Sequence, residues 1–152
     1  MTPSEPSRYV TATFGWLFAV RWRAFELEDL LAVRKRIGEV RRILGRPVIY
    51  LSLIPEGPRT FTVEERTALV DFLRDLLARD CSSIHHVIDG TGFAASTRRS
   101  IVTNMAIAAA DPGRFRTYAT LEEALGEISA ELNRPPAELI DDARARGLAF
   151  RR

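Results

Sequence analysis

Bulky and small residues alternate over Tyr9–Phe14, Gly15 interrupts them, and alternation resumes over Leu17–Arg23. In the second run Phe18, Val20 and Trp22 fall on one face, with Leu17, Ala19, Arg21 and Arg23 on the other. A period of two is that of a strand, so the pair predicts a β-hairpin. The period then changes. Leu27, Leu30, Leu31, Ile37, Val40 and Leu44 recur at steps of three and four, which predicts an amphipathic helix stopped by Gly45. Val48–Ile54 is a nearly continuous apolar run of strand length, the pattern of a central strand covered on both faces.

Pro55, Glu56, Gly57 and Pro58 predict a loop, and Thr62 followed by Glu65 has the spacing of a capping box. The helix so opened carries Leu69, Val70, Phe72, Leu73, Leu76 and Leu77 as its apolar stripe. Ile84–Ile88 is the next strand, closed by Asp89, Gly90, Thr91 and Gly92. A third helix follows with Ile101, Val102, Met105 and Ala109 inward, and Asp111, Pro112 and Gly113 end it. Phe115–Tyr118 is a short strand. Thr120 and Glu123 make a second capping-box spacing before the stripe Leu121, Ala124, Leu125, Ile128 and Leu132. After Pro135 and Pro136 a last short helix is expected from Ala137 to Arg146, with Leu139, Ile140 and Ala143 inward and Gly147 closing it. The first seven residues hold two prolines and two serines, which predicts a frayed terminus.

Strict alternation of strand and helix after a hairpin demands an α/β fold. The expected sheet is mixed, mostly parallel and five-stranded, with an N-terminal β-hairpin, four helices and a short C-terminal helix. The expected organisation is a terminus over 1–7, a domain over 8–133 and a helical extension over 134–152. Composition leaves this picture intact: 152 residues suit one domain, and 46% hydrophobic with 28% charged residues is ordinary for a globular chain. The longest apolar stretches, Trp16–Val20 and Met105–Ala110, fall far short of the roughly 20 residues that span a bilayer. No membrane partner is expected from them. One cysteine, Cys81, permits no internal disulfide, and the start of the chain lacks the pattern of a signal peptide, so a cytoplasmic location is expected.

Charge is nearly balanced, 22 Lys and Arg against 20 Asp and Glu, with Lys35 the only lysine. The densest basic run is Arg34, Lys35, Arg36, Arg41, Arg42 and Arg46 on the first helix. It has no aromatic stacking platform, so a solvated face is the expected reading and nucleic acid is disfavoured. His85 and His86 are adjacent in a strand and point to opposite faces, so they cannot chelate one ion together. With a single cysteine and no third ligand, no metal and no cofactor are expected. Cys81, at a helix end, reads as a small buried hydrophobe.

Two places retain candidate chemistry. Asp89, Gly90, Thr91 and Gly92, followed by Ser96, Thr97, Arg98 and Arg99, resemble a sparse phosphate cradle at a helix start. Ala95 stands where a dinucleotide loop has its third glycine, so a plain turn competes with binding of an anion, a nucleotide or acyl-CoA. Thr60 and Thr62 flank Phe61 ahead of the second helix. A phosphate on Thr62 would gain from the helix dipole, whereas an unmodified Thr62 serves as the N-cap. Phe61 is either a partner contact or an anchor over that helix.

The order of elements, together with Arg114–Ile128 (RFRTYATLEEALGEI), resembles the STAS-like branch of the anti-sigma-factor antagonist superfamily. There a short strand ending in an aromatic residue leads into a T-x-E-E-A helix start. The resemblance spans Tyr9 to Leu132 and implies a non-enzymatic signalling regulator that works by protein–protein association, with itself as a homodimer or with a partner. Antagonists of that family carry a phosphorylated serine turn between the central strand and the next helix. Here Leu53–Arg66 reads LIPEGPRTFTVEER, in which Thr60 and Thr62 are the nearest hydroxyls. The last helix, with Leu148 and Phe150 beyond it as candidate partner contacts, adds apolar surface expected either to cover the sheet edge or to complete a homodimer.

Overall fold

A computed structural model describes residues 8–23, 27–54, 61–90, 92–108 and 112–148, with the backbone alone at 93, 94, 105–107 and 112. The elements run β1 (Tyr9–Phe14), β2 (Leu17–Trp22), α1 (Leu27–Leu44), β3 (Val48–Ile54), α2 (Val63–Arg79), β4 (Cys81–Ile88), α3 (Phe93–Ala108), a 3-10 turn (Pro112–Arg114), β5 (Phe115–Tyr118), α4 (Leu121–Leu132) and α5 (Pro136–Ala145). The class is α/β, as the periodicity predicts. One sheet has the order β1-β2-β3-β4-β5, antiparallel between β1 and β2 and parallel elsewhere. Gly15, at φ 56°, supplies the left-handed turn between β1 and β2. The frayed terminus expected over 1–7, the loop Pro55–Pro58, the inward Ala109 and the stop at Asp111 lie outside the described residues, as does the side chain of Met105.

Strand alternation divides the core in two. Phe18, Val20, Trp22, Tyr50, Ile84 and Ile88 face α1, α2 and α3, meeting Ile37, Leu73, Leu76 and Val102. Leu17, Ala19, Ile49, Leu51, Leu53 and Val87 face α4 and α5, meeting Leu125, Ile128, Leu139 and Ala143. Because both sides are covered, β3 is buried from Val48 to Leu53. Strand order equals chain order, so the sheet has no point at which the order reverses. That reversal opens the ligand crevice of doubly wound sheets.

Three sequence expectations need correction. β4 begins at Cys81, three residues before Ile84, because an irregularity between Val48 and Ile49 lets Cys81 pair with Val48 ahead of the regular ladder. Cys81 is therefore a strand residue. Leu44, at the end of α1, is 39% exposed, and Leu31 is 69% exposed rather than part of the inner stripe. Ile37 lies six positions on, about 240° around a helix, so the two cannot share a face. α5 starts one residue early, at Pro136, where a proline's missing N–H costs nothing.

Both capping spacings place their helix starts. At α2 the Thr62 hydroxyl accepts from the Glu65 N–H at 3.1 Å, and the Glu65 carboxylate accepts from the Thr62 N–H at 3.0 Å. At α4 the Thr120 hydroxyl accepts from the Glu123 N–H at 3.2 Å. α5 ends in a Schellman pattern: Gly147, at φ 76°, donates to the Arg144 carbonyl and Leu148 donates to that of Ala143. The reversal turns Leu148 back onto the sheet.

Candidate functional site

β4 ends at Ile88, and the chain then bends through Gly90 (φ 115°) and Gly92 (φ 94°), values that L side chains rarely adopt. Asp89 donates its N–H to the Ile54 carbonyl, tying the turn to β3, and Ser96 donates to Gly92 to open α3. The guanidinium of Arg99, in the second turn of α3, reaches back past the helix start. Its Nη1 donates to the carbonyls of Ile88 and Gly90, each at 3.1 Å. The fold thus gathers Asp89, Gly90, Gly92 and Arg99, but Arg99 latches backbone carbonyls. Ser96 and Thr97 are exposed and Arg98 is half-buried; Thr91 lies outside the described residues. The corner is a turn closed on itself. Arg99→Ala is expected to cost about 1–3 kcal/mol of stability in urea melts, because two partly buried carbonyls lose their donor. A nucleotide should protect parent and variant equally little in a thermal shift.

At the start of α2, Phe61 is half-buried and packs on the core. Its anchoring reading therefore has direct support. Thr62 stands exposed with its hydroxyl engaged as the N-cap. Thr60 lies outside the described residues. Leu31 and Val63, 69% and 70% exposed, stand in the second turn of α1 and at the first residue of α2, at this end of the molecule. Val63 was not singled out from the sequence, since an exposed valine at a first helical position carries no periodic signal. Leu148, expected to meet a partner, is fully buried among Leu139, Ala143 and the sheet. The partner contact expected of Leu148 is corrected, while the alternative that the extension covers the sheet holds over a face rather than an edge; Phe150 lies outside the described residues.

The histidines point to opposite faces, as alternation requires. His85 is held by two hydrogen bonds, Nε2 to the Ser83 hydroxyl at 3.1 Å and Nδ1 to the Tyr118 hydroxyl at 2.9 Å, and it stacks on the Tyr118 ring. Burial, then Arg116, lowers its pKa to about 4. His86 packs beside Phe115 and edge-on to Tyr50, with no hydrogen-bond partner among the described residues for either ring nitrogen. Burial, then His85, lowers its pKa to about 3. Both rings are neutral near pH 7. Burial also pushes the Cys81 thiol well above its usual range, which leaves little thiolate. Among the described residues no three His, Cys, Asp or Glu side chains gather as a metal ion would need, and no helix is long and apolar enough to cross a membrane.

The basic run of α1 separates into individual roles. Arg34 pairs with Asp75 at 2.9 Å, Arg36 with Glu39 at 3.4 Å, and Arg41 donates to the Arg79 carbonyl at 2.9 Å. Arg46 lies over the Trp16 ring at 3.9 Å. Lys35 and Arg42 point into solvent. Comparison with protein-family models, curated proteins and solved structures found no match to this chain.

Proposed function

We propose that the protein is a non-enzymatic, STAS-like regulatory module that works by binding a protein partner at the amino-terminal ends of α1 and α2. The observation that carries this reading is the pair Leu31 and Val63, large aliphatic side chains 69% and 70% exposed at one end of the molecule. Taking them out of water on docking is favourable by about 25 cal/mol per Å² of apolar area. Val63 opens the helix that follows β3, and the family resemblance places the regulatory contact between that strand and that helix. Phe61 backs that end from the core side. By contrast, Arg99 in the turn at Asp89–Arg99 is committed to two backbone carbonyls, which does not favour the ligand-binding alternative.

The test uses a photoreactive phenylalanine analogue at Val63 and, as a control, at exposed Glu131 on α4. A discrete adduct from position 63 alone is expected, either a dimer of the chain or a complex with another protein. Binding of that purified partner should weaken at least about tenfold in Leu31→Ser/Val63→Ser. No adduct at position 63, or turnover of phosphoesters or thioesters by the purified chain, overturns the reading.

A further inference from the structure

The opposite end of the helical layer has a different chemistry. α1 and α2 finish side by side, held where Arg41 Nε donates to the Arg79 carbonyl at 2.9 Å. Gly45, at φ 67°, stops α1 and donates its N–H to the Arg41 carbonyl. The last turn of α1 therefore projects. Ile43 is 81% exposed, the most exposed large hydrophobic among the described residues, and Leu44 beside it is 39% exposed. The hairpin turn reaches the same end, with the half-buried Trp16 lying under the Arg46 guanidinium. Arg42, Arg46 and Arg79 are exposed around these apolar groups and Arg41 is half-buried. Of the acids nearby, Glu39 is paired with Arg36, and Asp80 is half-buried at the end of α2.

We infer that this end docks on the surface of an anionic lipid bilayer. The charge is complementary, and the carbonyls of Arg41 and Arg79, whose negative helix-end dipoles would oppose an anionic surface, already hold donors. The side-chain types are those of a membrane interface: an aliphatic tip to enter the acyl boundary, a tryptophan at headgroup depth, and arginines to meet lipid phosphates. A bilayer boundary yields around an exposed aliphatic tip such as Ile43 and accepts it without a preformed pocket. The expectation of no membrane partner came from the lack of a spanning stretch, and surface docking requires none. Each exposed arginine contributes about fivefold to partitioning onto an anionic surface, so three give about a hundredfold.

The full chain is sedimented with phosphatidylcholine vesicles and with vesicles in which a third of the lipid is phosphatidylglycerol. Binding to the anionic vesicles alone, weakening as salt shortens the Debye length, is expected. Arg42→Ala/Arg46→Ala should reduce it about thirtyfold. Ile43→Ser should also reduce it while melting like the parent. Leu31→Ser/Val63→Ser, at the other end, should bind as the parent does, which separates this inference from the protein-docking reading. No binding to anionic vesicles, undiminished binding by the arginine variant, or retention on heparin without vesicle binding overturns it.

Discussion

Leu148→Ala is expected to lower the stability of the chain by about 2–5 kcal/mol, the cost of a cavity where a fully buried leucine stood. Its melting temperature should fall by roughly 5–15 °C. Leu148 has no exposed surface, and Leu139 and Ala143 from α5 are each 1% exposed beside it, over the face that also carries Phe14, Leu17 and Ala19. Two further bonds hold this end. Arg21 Nη1 donates to the Gly147 carbonyl, and Arg146 Nη1 donates to the Thr13 carbonyl, both joining the end of α5 to the hairpin. A chain ending at Arg134 loses all three apolar side chains together. Their summed cost is comparable to the whole stability of an ordinary domain, about 5–15 kcal/mol. No cooperative melt is expected from that shortened chain. Thermal and urea unfolding followed by circular dichroism check both variants. A shortened chain that melts like the parent would make α5 an appendage rather than a wall of the core.

The fold was legible where burial leaves a periodic trace. Val48–Ile54 reads as a central strand because a strand covered on both faces has no reason to alternate, and β3 is buried from Val48 to Leu53. Thr62 with Glu65 marks the start of α2 because a capping box is a local device needing only two residues at a set spacing. What stayed hidden depends on backbone groups or on strand register, which one-dimensional text does not carry. Arg99 looks like an anion ligand beside glycines, yet its partners are the carbonyls of Ile88 and Gly90. The polar pair Ser82 and Ser83 disguises the start of β4, although both lie within the strand. Leu148 carried a usable signal: a hydrophobic residue just after a helix-ending glycine is the apolar partner of a Schellman turn. Gly147 is thus both the helix stop and the left-handed residue of that turn.

Register also decides the fate of the two histidines, and acid should expose the difference. Both have folded-state pKa values below the usual 6.5, about 4 for His85 and about 3 for His86, chiefly because burial penalises the imidazolium. Above about pH 7.5 folded and unfolded chains both hold the rings neutral, so the shifts leave stability unchanged there. As the pH falls from 6.5 toward 4 the unfolded chain takes up protons that the folded one refuses. Stability then drops by as much as ~1.4 kcal/mol per pH unit for each ring, on the order of 3 kcal/mol per histidine by pH 4. His86→Phe should remove half of this slope in urea melts between pH 4.5 and 7.5. At pH 7.5 it should cost little or stabilise, since its ring sits between Tyr50 and Phe115 and gives up no hydrogen bond among the described residues. His85→Phe should remove the other half of the slope but cost about 1–3 kcal/mol at neutral pH, because the Tyr118 and Ser83 hydroxyls lose their partner. Parallel pH profiles for parent and His86→Phe would mean that the ring is protonated inside the fold, against the apolar surroundings in which register has placed it.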